Sequence, residues 1–517
     1  MGTTSTAQPA RARPRLTLAL VCLAIFVGAV DLTVVSAVLP RVMLDLGVSL
    51  DTELGRAAWV VSGYLLAYTV SMTFMGRLSD MVGRRRAYLV SLLVFIGGSA
   101  LVASAPSLEL LIFGRVVQAL GAGALVPVSM ALVGDIFPPA ARAAALGVIG
   151  AVDTAGWMVG HLYGGVLMRA FDDWRLLFWV NIPFGLLALG LTWYALRAVP
   201  QPRAGGRFDW PGALLISASL VALNVGLAAG AELGGSDFYG ERLGPPPYAL
   251  PLVLLALALL GGFLWWERRA PDPLLSPELL RGRPALAACA VNLLAGFALA
   301  LAITNVPLFI NTRLLLFSPG DPDILRVAAW DAGWMLSALT LTMAAAAIPG
   351  GLIAGRLGGR LPATLGLALA AAGYALMAGW DADSAYPTMA AQLVLAGAGL
   401  GLMIAPAADA LIAPAGEGRR GAAAALVIAL RLIGMTVGVA VLTLWGVQRQ
   451  DGLRRAGVSD PLAASDPARF LMNVAAQVIG ETFLFGAAAC ALALLAALLL
   501  HGRRPAGEEH RAVAEHL

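Results

Sequence analysis

Apolar runs close to the length of a membrane crossing recur along the chain, separated by short connections rich in arginine, glycine and proline. The first covers residues 16–39, and others follow at 57–75, 87–103, 108–137, 143–167, 176–196, 210–230, 249–266, 284–308, 332–354, 361–378, 389–412, 421–445 and 474–500. A helix needs about 20 mostly apolar residues to span the hydrocarbon core. No stretch alternates as a strand would, and no long polar linker interrupts the series. The pattern predicts fourteen transmembrane helices. The first run follows Arg11, Arg13 and Arg15 and is too long for the apolar region of a signal peptide, so it reads as a retained helix.

Composition strengthens this picture. The chain is 59% apolar and 13% charged over 517 residues, against roughly 45–50% and 25% in soluble domains. Too few residues remain for a separate soluble catalytic domain, so the fold class is an all-α polytopic membrane protein. The net charge is +4, and every basic side chain other than histidine is an arginine. A nucleic-acid partner is not implied, because the arginines fall on connections between spans. The connections sharing a side with the chain ends carry about twice as many arginines as the opposite set. By the positive-inside bias both termini are cytoplasmic. Cys22, Cys289 and Cys490 lie within apolar runs and form neither a disulfide framework nor a metal cluster.

An internal repeat organises the spans. Gly121-Ala-Gly123 leads to Pro127, a polar turn at 138–142 and a small-residue start at Ala143; Gly399-Leu-Gly401 leads to Pro406, a turn ending at Arg420 and a small-residue start at Gly421. One hairpin is used twice. The chain therefore divides into a cytoplasmic tail (1–15), a six-helix bundle (16–197), two linker helices (210–266), a second six-helix bundle (284–500) and a cytoplasmic tail (501–517). Parallel repeats of this kind are one plan of secondary transporters, with the substrate path between the repeats.

The connection after span two carries Gly76, Arg77, Asp80, Gly83 and Arg84. The two glycines permit a tight turn. Asp80 can lie against a helix N-terminus, where partial positive charge favours a carboxylate, or pair with an arginine. Either arrangement makes a latch between the halves. The counterpart in the second half keeps Gly351 and Gly358 but has Gly355 in place of the aspartate.

Ionisable side chains deep in a bilayer cost on the order of 2.5–3.5 kcal/mol each and face a cavity or a partner. Asp31 and Arg115 each stand about eight residues from the outer end of their spans, hence at one height, about 12 Å down. Asp153 and Arg431 occupy matched places in the repeat, each following Arg142 or Arg420 at the same spacing. A carboxylate beside a fixed guanidinium ionises readily when paired and resists ionisation when unpaired and desolvated. Alternating access can use that difference to move a proton; a purely structural pairing is the competing reading. Asp135, Asp409 and Glu481 lie nearer helix ends and rank lower, with Asp409 expected at the lower cavity.

These motifs resemble those of the major facilitator superfamily. Arg115-Val-Val-Gln118-Ala-Leu-Gly121 resembles its second motif, while Val30-Asp31 through Val35 and Trp174-Arg175 through Asn181-Ile-Pro183 resemble the fourteen-helix drug:proton antiporter branch. Arg431 through Gly438, Leu444-Trp445-Gly446 and Gly480-Glu481 are similar to mycobacterial lipid- and drug-exporting permeases that work with a periplasmic lipoprotein. The glycine run of span five, Gly156, Gly160, Gly164 and Gly165, resembles the antiporter motif, except that His161 stands where that motif has proline. An outside insert of those permeases between spans eleven and twelve is replaced by about residues 380–387.

The resemblance implies an inner-membrane exporter of lipophilic molecules, drugs or lipids such as triacylglycerols. It also implies a proton gradient as energy source, no cofactor and a lipoprotein partner. Transport of another solute, import included, is the alternative within the fold. A polytopic lipid-modifying enzyme would need clustered His, Asp or Cys, and the chain has only four histidines. The glycine runs follow no strand and are not a nucleotide-binding fingerprint.

Overall fold

The computed structural model describes residues 14–48, 54–171, 173–199, 203–231, 248–318, 324–416, 418–457 and 460–502; the side chains of some helical residues, 161–166 among them, lie outside the described set. Sixteen α-helices make up the described chain. In the first half these are α1 (Pro14–Asp45), α2 (Leu54–Val82), α3 (Arg84–Ala103), α4 (Leu108–Ala122), α5 (Leu125–Ile136), α6 (Pro139–Phe171) and α7 (Arg175–Leu196). The linker pair is α8 (Trp210–Ala231) and α9 (Ala249–Glu267). The second half holds α10 (Arg283–Phe317), α11 (Ile324–Leu357), α12 (Arg360–Met377), α13 (Tyr386–Ile412), α14 (Arg420–Ala456), the short α15 (Pro461–Ser465) and α16 (Pro467–Ala497).

Among the described residues, thirteen helical stretches are long and apolar enough to cross a membrane, with α4 and α5 counted as one stretch. The remaining long helix is α2, whose described part carries Ser, Thr and Tyr among its apolar residues, together with Arg77 and Asp80. With α2 the described residues hold the fourteen spans expected, and both ends of the described chain, at α1 and α16, fall on one face, called here the termini face. Large apolar side chains such as Phe113, Trp179, Phe184, Leu254 and Leu492 are exposed around the perimeter, as a lipid-facing surface requires.

The repeat is visible in how glycines let helices meet. A Cβ at Gly121 would strike the backbone of α3 at Phe95, and one at Gly399 the backbone of α12 at Ala370. Likewise Gly123 abuts the Tyr68 carbonyl on α2, and Gly401 the Met343 carbonyl on α11. Small residues that admit close backbone approach are the usual device of membrane helix packing. The first-half copy is broken between α4 and α5, where the Gly123 N–H reaches back to the Ala119 carbonyl at 2.9 Å; α13 runs through unbroken.

Two expectations are corrected by these contacts. Span one does not end at Leu39 but continues to Asp45. Arg41 pairs with Asp45 at 3.4 Å, and the Trp174 indole N–H donates to Asp45 at 3.1 Å, so the polar outer turn is satisfied within the fold. Gly76 is not part of a turn: it lies inside α2, and Gly83 alone, with φ of 95°, separates α2 from α3. The halves meet where α2 and α5 pack on α14 and where α6 packs on α11 and α13, while α8 touches both α2 and α14.

Candidate functional site

The deepest polar centre lies wholly in the first half. Asp31 on α1 is fully buried, as are Arg115 and Gln118 on α4. Arg115 Nη1 donates to Asp31 Oδ2 at 2.7 Å, Gln118 Nε2 donates to Oδ1 at 2.9 Å and Asn181 Nδ2 on α7 donates to Oδ1 at 2.6 Å. Arg115 Nη1 also reaches Gln118 Oε1 at 2.7 Å, and the Tyr64 ring stacks 3.8 Å from its guanidinium carbon. A buried ion pair survives desolvation only when further hydrogen bonds complete it. Here they do. Gly98 makes the network possible, since a Cβ there would meet the Gln118 backbone and force α3 away from α4.

The second pair of charges is different in kind. Asp153 on α6 and Arg431 on α14 come from opposite halves, with 8% and 7% of their surface exposed. Arg431 is the charged neighbour that acts on Asp153, and Asp153 the one that acts on Arg431. They form no ion pair within 4.0 Å. Asp153 Oδ1, Arg431 Nε and Arg431 Nη2 are buried without a hydrogen-bond partner. Leaving a buried donor or acceptor unmade costs about 1–3 kcal/mol, and more for a charged group. The expected set of four charges thus divides into one directly bonded pair within the first half and one pair that interacts across the halves without an ion-pair contact.

At the termini face the latch residues assemble. Asp80 accepts from the backbone N–H groups of Gly421 and Ala422, at 3.0 and 3.1 Å, at the first turn of α14. It also pairs with Arg84 Nη2 at 2.5 Å. Both alternatives drawn from the sequence are therefore present at once. Arg84 Nε donates to Asp135 Oδ2 at 3.0 Å, and Arg420 Nη1 donates to Asp135 Oδ1 at 3.0 Å, so Asp135 closes a second bridge between the halves. Gly76 lies directly against the Gly421 carbonyl, and its counterpart Gly351 against the Ala143 carbonyl. Gly355, standing where the second copy would have its aspartate, abuts the Ala140 carbonyl. Backbone contact replaces charge there.

The glycine face of α6 divides as well. Gly147 and Gly150 meet the second half at Ala347 and Ile404, whereas Gly156 and Gly160 pack on α1 at Ala29 and Val30. At 3.6 residues per turn, the nine residues from Gly147 to Gly156 rotate the helix by half a turn beyond two full ones. The two glycine sets consequently face different neighbours, one in the second half and the other on α1 of the same half. Gly164 and Gly165, with the His161 side chain, lie outside the described residues, although α6 itself is continuous through them.

The lower-ranked candidates also find places. Asp409 lines a cleft of about 580 Å³ at the termini face together with Arg142, Arg356 and His501. Glu481 accepts two hydrogen bonds from Arg449 on α14, at 2.8 and 2.9 Å, and one from Gln477 at 3.1 Å; because α16 starts at Pro467, Glu481 lies mid-helix and not near an end as expected.

This architecture has close counterparts among known proteins. The family model of the Major Facilitator Superfamily matches residues 21–439. The chain belongs to the major facilitator superfamily. A triacylglyceride transporter of Mycolicibacterium hassiacum is 34% identical over 94% of this chain and 92% of the relative. That of Mycobacterium tuberculosis is 33% identical over 96% of this chain and 97% of the relative. Two solved structures share the fold: the human organic anion transporter MFSD10 (TM-score 0.57, 17% identity, 92% of this chain and 100% of that one) and a proton:xylose symporter (TM-score 0.59, 13% identity, 93% and 94%).

The protein is thus a multi-pass membrane transporter of that superfamily and not an enzyme. Sequence reasoning missed one member of its polar machinery and undervalued another. Asn181 stood in plain view within a family-like motif two residues before Pro183, yet gave no sign of reaching Asp31. Asp135 was ranked low for lying near a helix end, yet that position lets it accept from both Arg84 and Arg420.

Proposed function

We propose that this transporter is a proton-coupled exporter of neutral lipids or lipophilic drugs, with the termini face in the cytoplasm of a bacterial inner membrane. Asp153 is the proton-carrying group, and Arg431, permanently charged, biases its ionisation. The observation that carries the reading is the unsatisfied pair itself: opposite buried charges contributed by the two halves, each keeping a polar atom without a partner. Rocking of the halves changes the separation of such a pair, and with it the preference of the carboxyl for its proton. The Asp153 charge acts on Tyr68 of α2, the Tyr68 ring stacks on Tyr64, and the Tyr64 ring covers Arg115. Asp31, already saturated, holds α1, α4 and α7 in register.

Alternating access is supported by where the halves touch. The close approaches at Gly76, Gly134, Gly147, Gly150, Gly351 and Gly355 all join them between the termini face and the middle of the helices. Beyond that level, Gly156, Gly160, Gly434 and Gly438 contact helices of their own half. This is the form closed to the cytoplasm, held by Asp80 and Asp135. Lipid as cargo is supported by the relatives being named triacylglyceride transporters and by the apolar cluster that runs through both halves. A periplasmic lipoprotein as acceptor follows from the resemblance of the sequence motifs.

Reconstitution tests the proposal. In liposomes with an imposed pH gradient the wild-type chain should move a fluorescent triacylglycerol between leaflets at a rate that falls to background when the gradient is collapsed. Movement indifferent to the gradient would remove proton coupling.

A further inference from the structure

Arg431 carries more than a charge. Its backbone is pinned by α10, where Gly296 leaves room for the Arg431 carbonyl and no side chain. The position of the residue is therefore set by helix packing and not by a polar partner. Yet Nε and Nη2 are buried and bonded to nothing, with Asp153 across the interface beyond ion-pair distance. The other deep guanidinium, Arg115, is the contrast: its Nε is also unpartnered, but Nη1 is bound to Asp31 and Gln118 and the Tyr64 ring covers it. One arginine is built into the fold and the other is held ready.

The chemistry of a ligand for those two donors is narrow. Guanidinium N–H groups are donors only, so the ligand must bring an acceptor. An anion would face the Asp153 carboxylate, and a cation would face the guanidinium, so the acceptor is neutral. Its surroundings are apolar: Val427 and Ile428 precede Arg431 by about one helical turn, and Ile149 precedes Asp153 by the same spacing, all within one hydrophobic cluster. An uncharged carbonyl on an acyl chain satisfies every condition. Resting on the reading of this chain as a lipid exporter, we propose that Arg431 is the recognition point for an ester carbonyl of a neutral acyl lipid, received between α6 and α14.

A site built to hydrogen-bond its ligand discriminates strongly against an analogue without the acceptor, because its own polar groups are then left unpaired. The experiment compares trioleoylglycerol with the trioleyl triether of glycerol, which has matched chains and no carbonyl. Each is titrated against the full-length protein in nanodiscs. The wild type should bind the ester at least tenfold more tightly than the ether. Arg431→Met should bring ester binding down to the ether level while leaving ether binding unchanged, and Arg431→Lys should fall between. Equal binding of both lipids by the wild type would overturn the proposal without variants, as would a preference that survives in Arg431→Met. An intact ester preference without gradient-dependent movement would instead overturn proton coupling and leave this site standing.

Discussion

The carboxylate of Asp80 accepts the backbone N–H of Gly421 at 3.0 Å, joining residues 341 positions apart and belonging to opposite halves. The contact places a negative side chain on the first turn of α14, where the helix dipole favours it. Arg84 and Asp135 extend it into a chain of charges that ends on Arg420. Removing the charge while keeping the shape should open this end. In Asp80→Asn, a cysteine introduced on the Asp409-lined cleft should be labelled several-fold faster by a membrane-impermeant maleimide applied from the termini side. Unchanged labelling would mean that the turn only sets topology.

Gly76 tests the same closure by sterics instead of charge. A Cβ at that position would fall on the Gly421 carbonyl, which is backbone and cannot swing aside. Gly76→Val should therefore hold the termini face open and suppress transport, with the protein still inserted and monodisperse. Transport at the wild-type rate would contradict the closed contact described here.

Asp31 and Arg115 should behave as structural partners. Breaking a buried pair by removing one member typically costs about 3–5 kcal/mol, because the other charge is left alone. Asp31→Asn should lower the unfolding temperature in detergent and reduce transport with it. Replacing both members with uncharged residues should recover much of the lost stability, since no lone charge remains. A double variant no more stable than the single one would refute the pairing.

How far the sequence reached depends on the kind of constraint. Spans, halves and the repeat were legible because apolar length and glycine spacing are local, and the matched glycines 121 and 399 meet matched partners. The Asp31–Arg115 pair was legible from depth alone, though the depth argument took α1 to end at Leu39 and the helix continues to Asp45. The half turn that separates Gly147 from Gly156 is present in the helical period, but which neighbour each glycine meets is set by packing between distant helices. Asn181 and Asp135 were not legible, because each acts through a partner far away in the chain, at Asp31 and Arg420.

Arg431 should tune the proton site beside it. Taking away a neighbouring positive charge favours the protonated carboxyl, so the pH profile of transport in Arg431→Ala should move upward. Arg431→Lys should move it less, because the charge remains while the forked geometry is lost. Vesicle transport measured across a pH series decides this, and a profile identical to wild type would separate Arg431 from proton coupling.

The central claim is that Asp153 carries the coupled proton, and its most direct test is Asp153→Asn in sealed vesicles. Two rates are measured on the same preparation: uphill movement of labelled lipid under an imposed pH gradient, and downhill exchange with no gradient. The account predicts that uphill movement falls to background while exchange persists, because the amide keeps the shape of the side chain and cannot cycle a proton. Uphill movement at the wild-type rate in Asp153→Asn would contradict it.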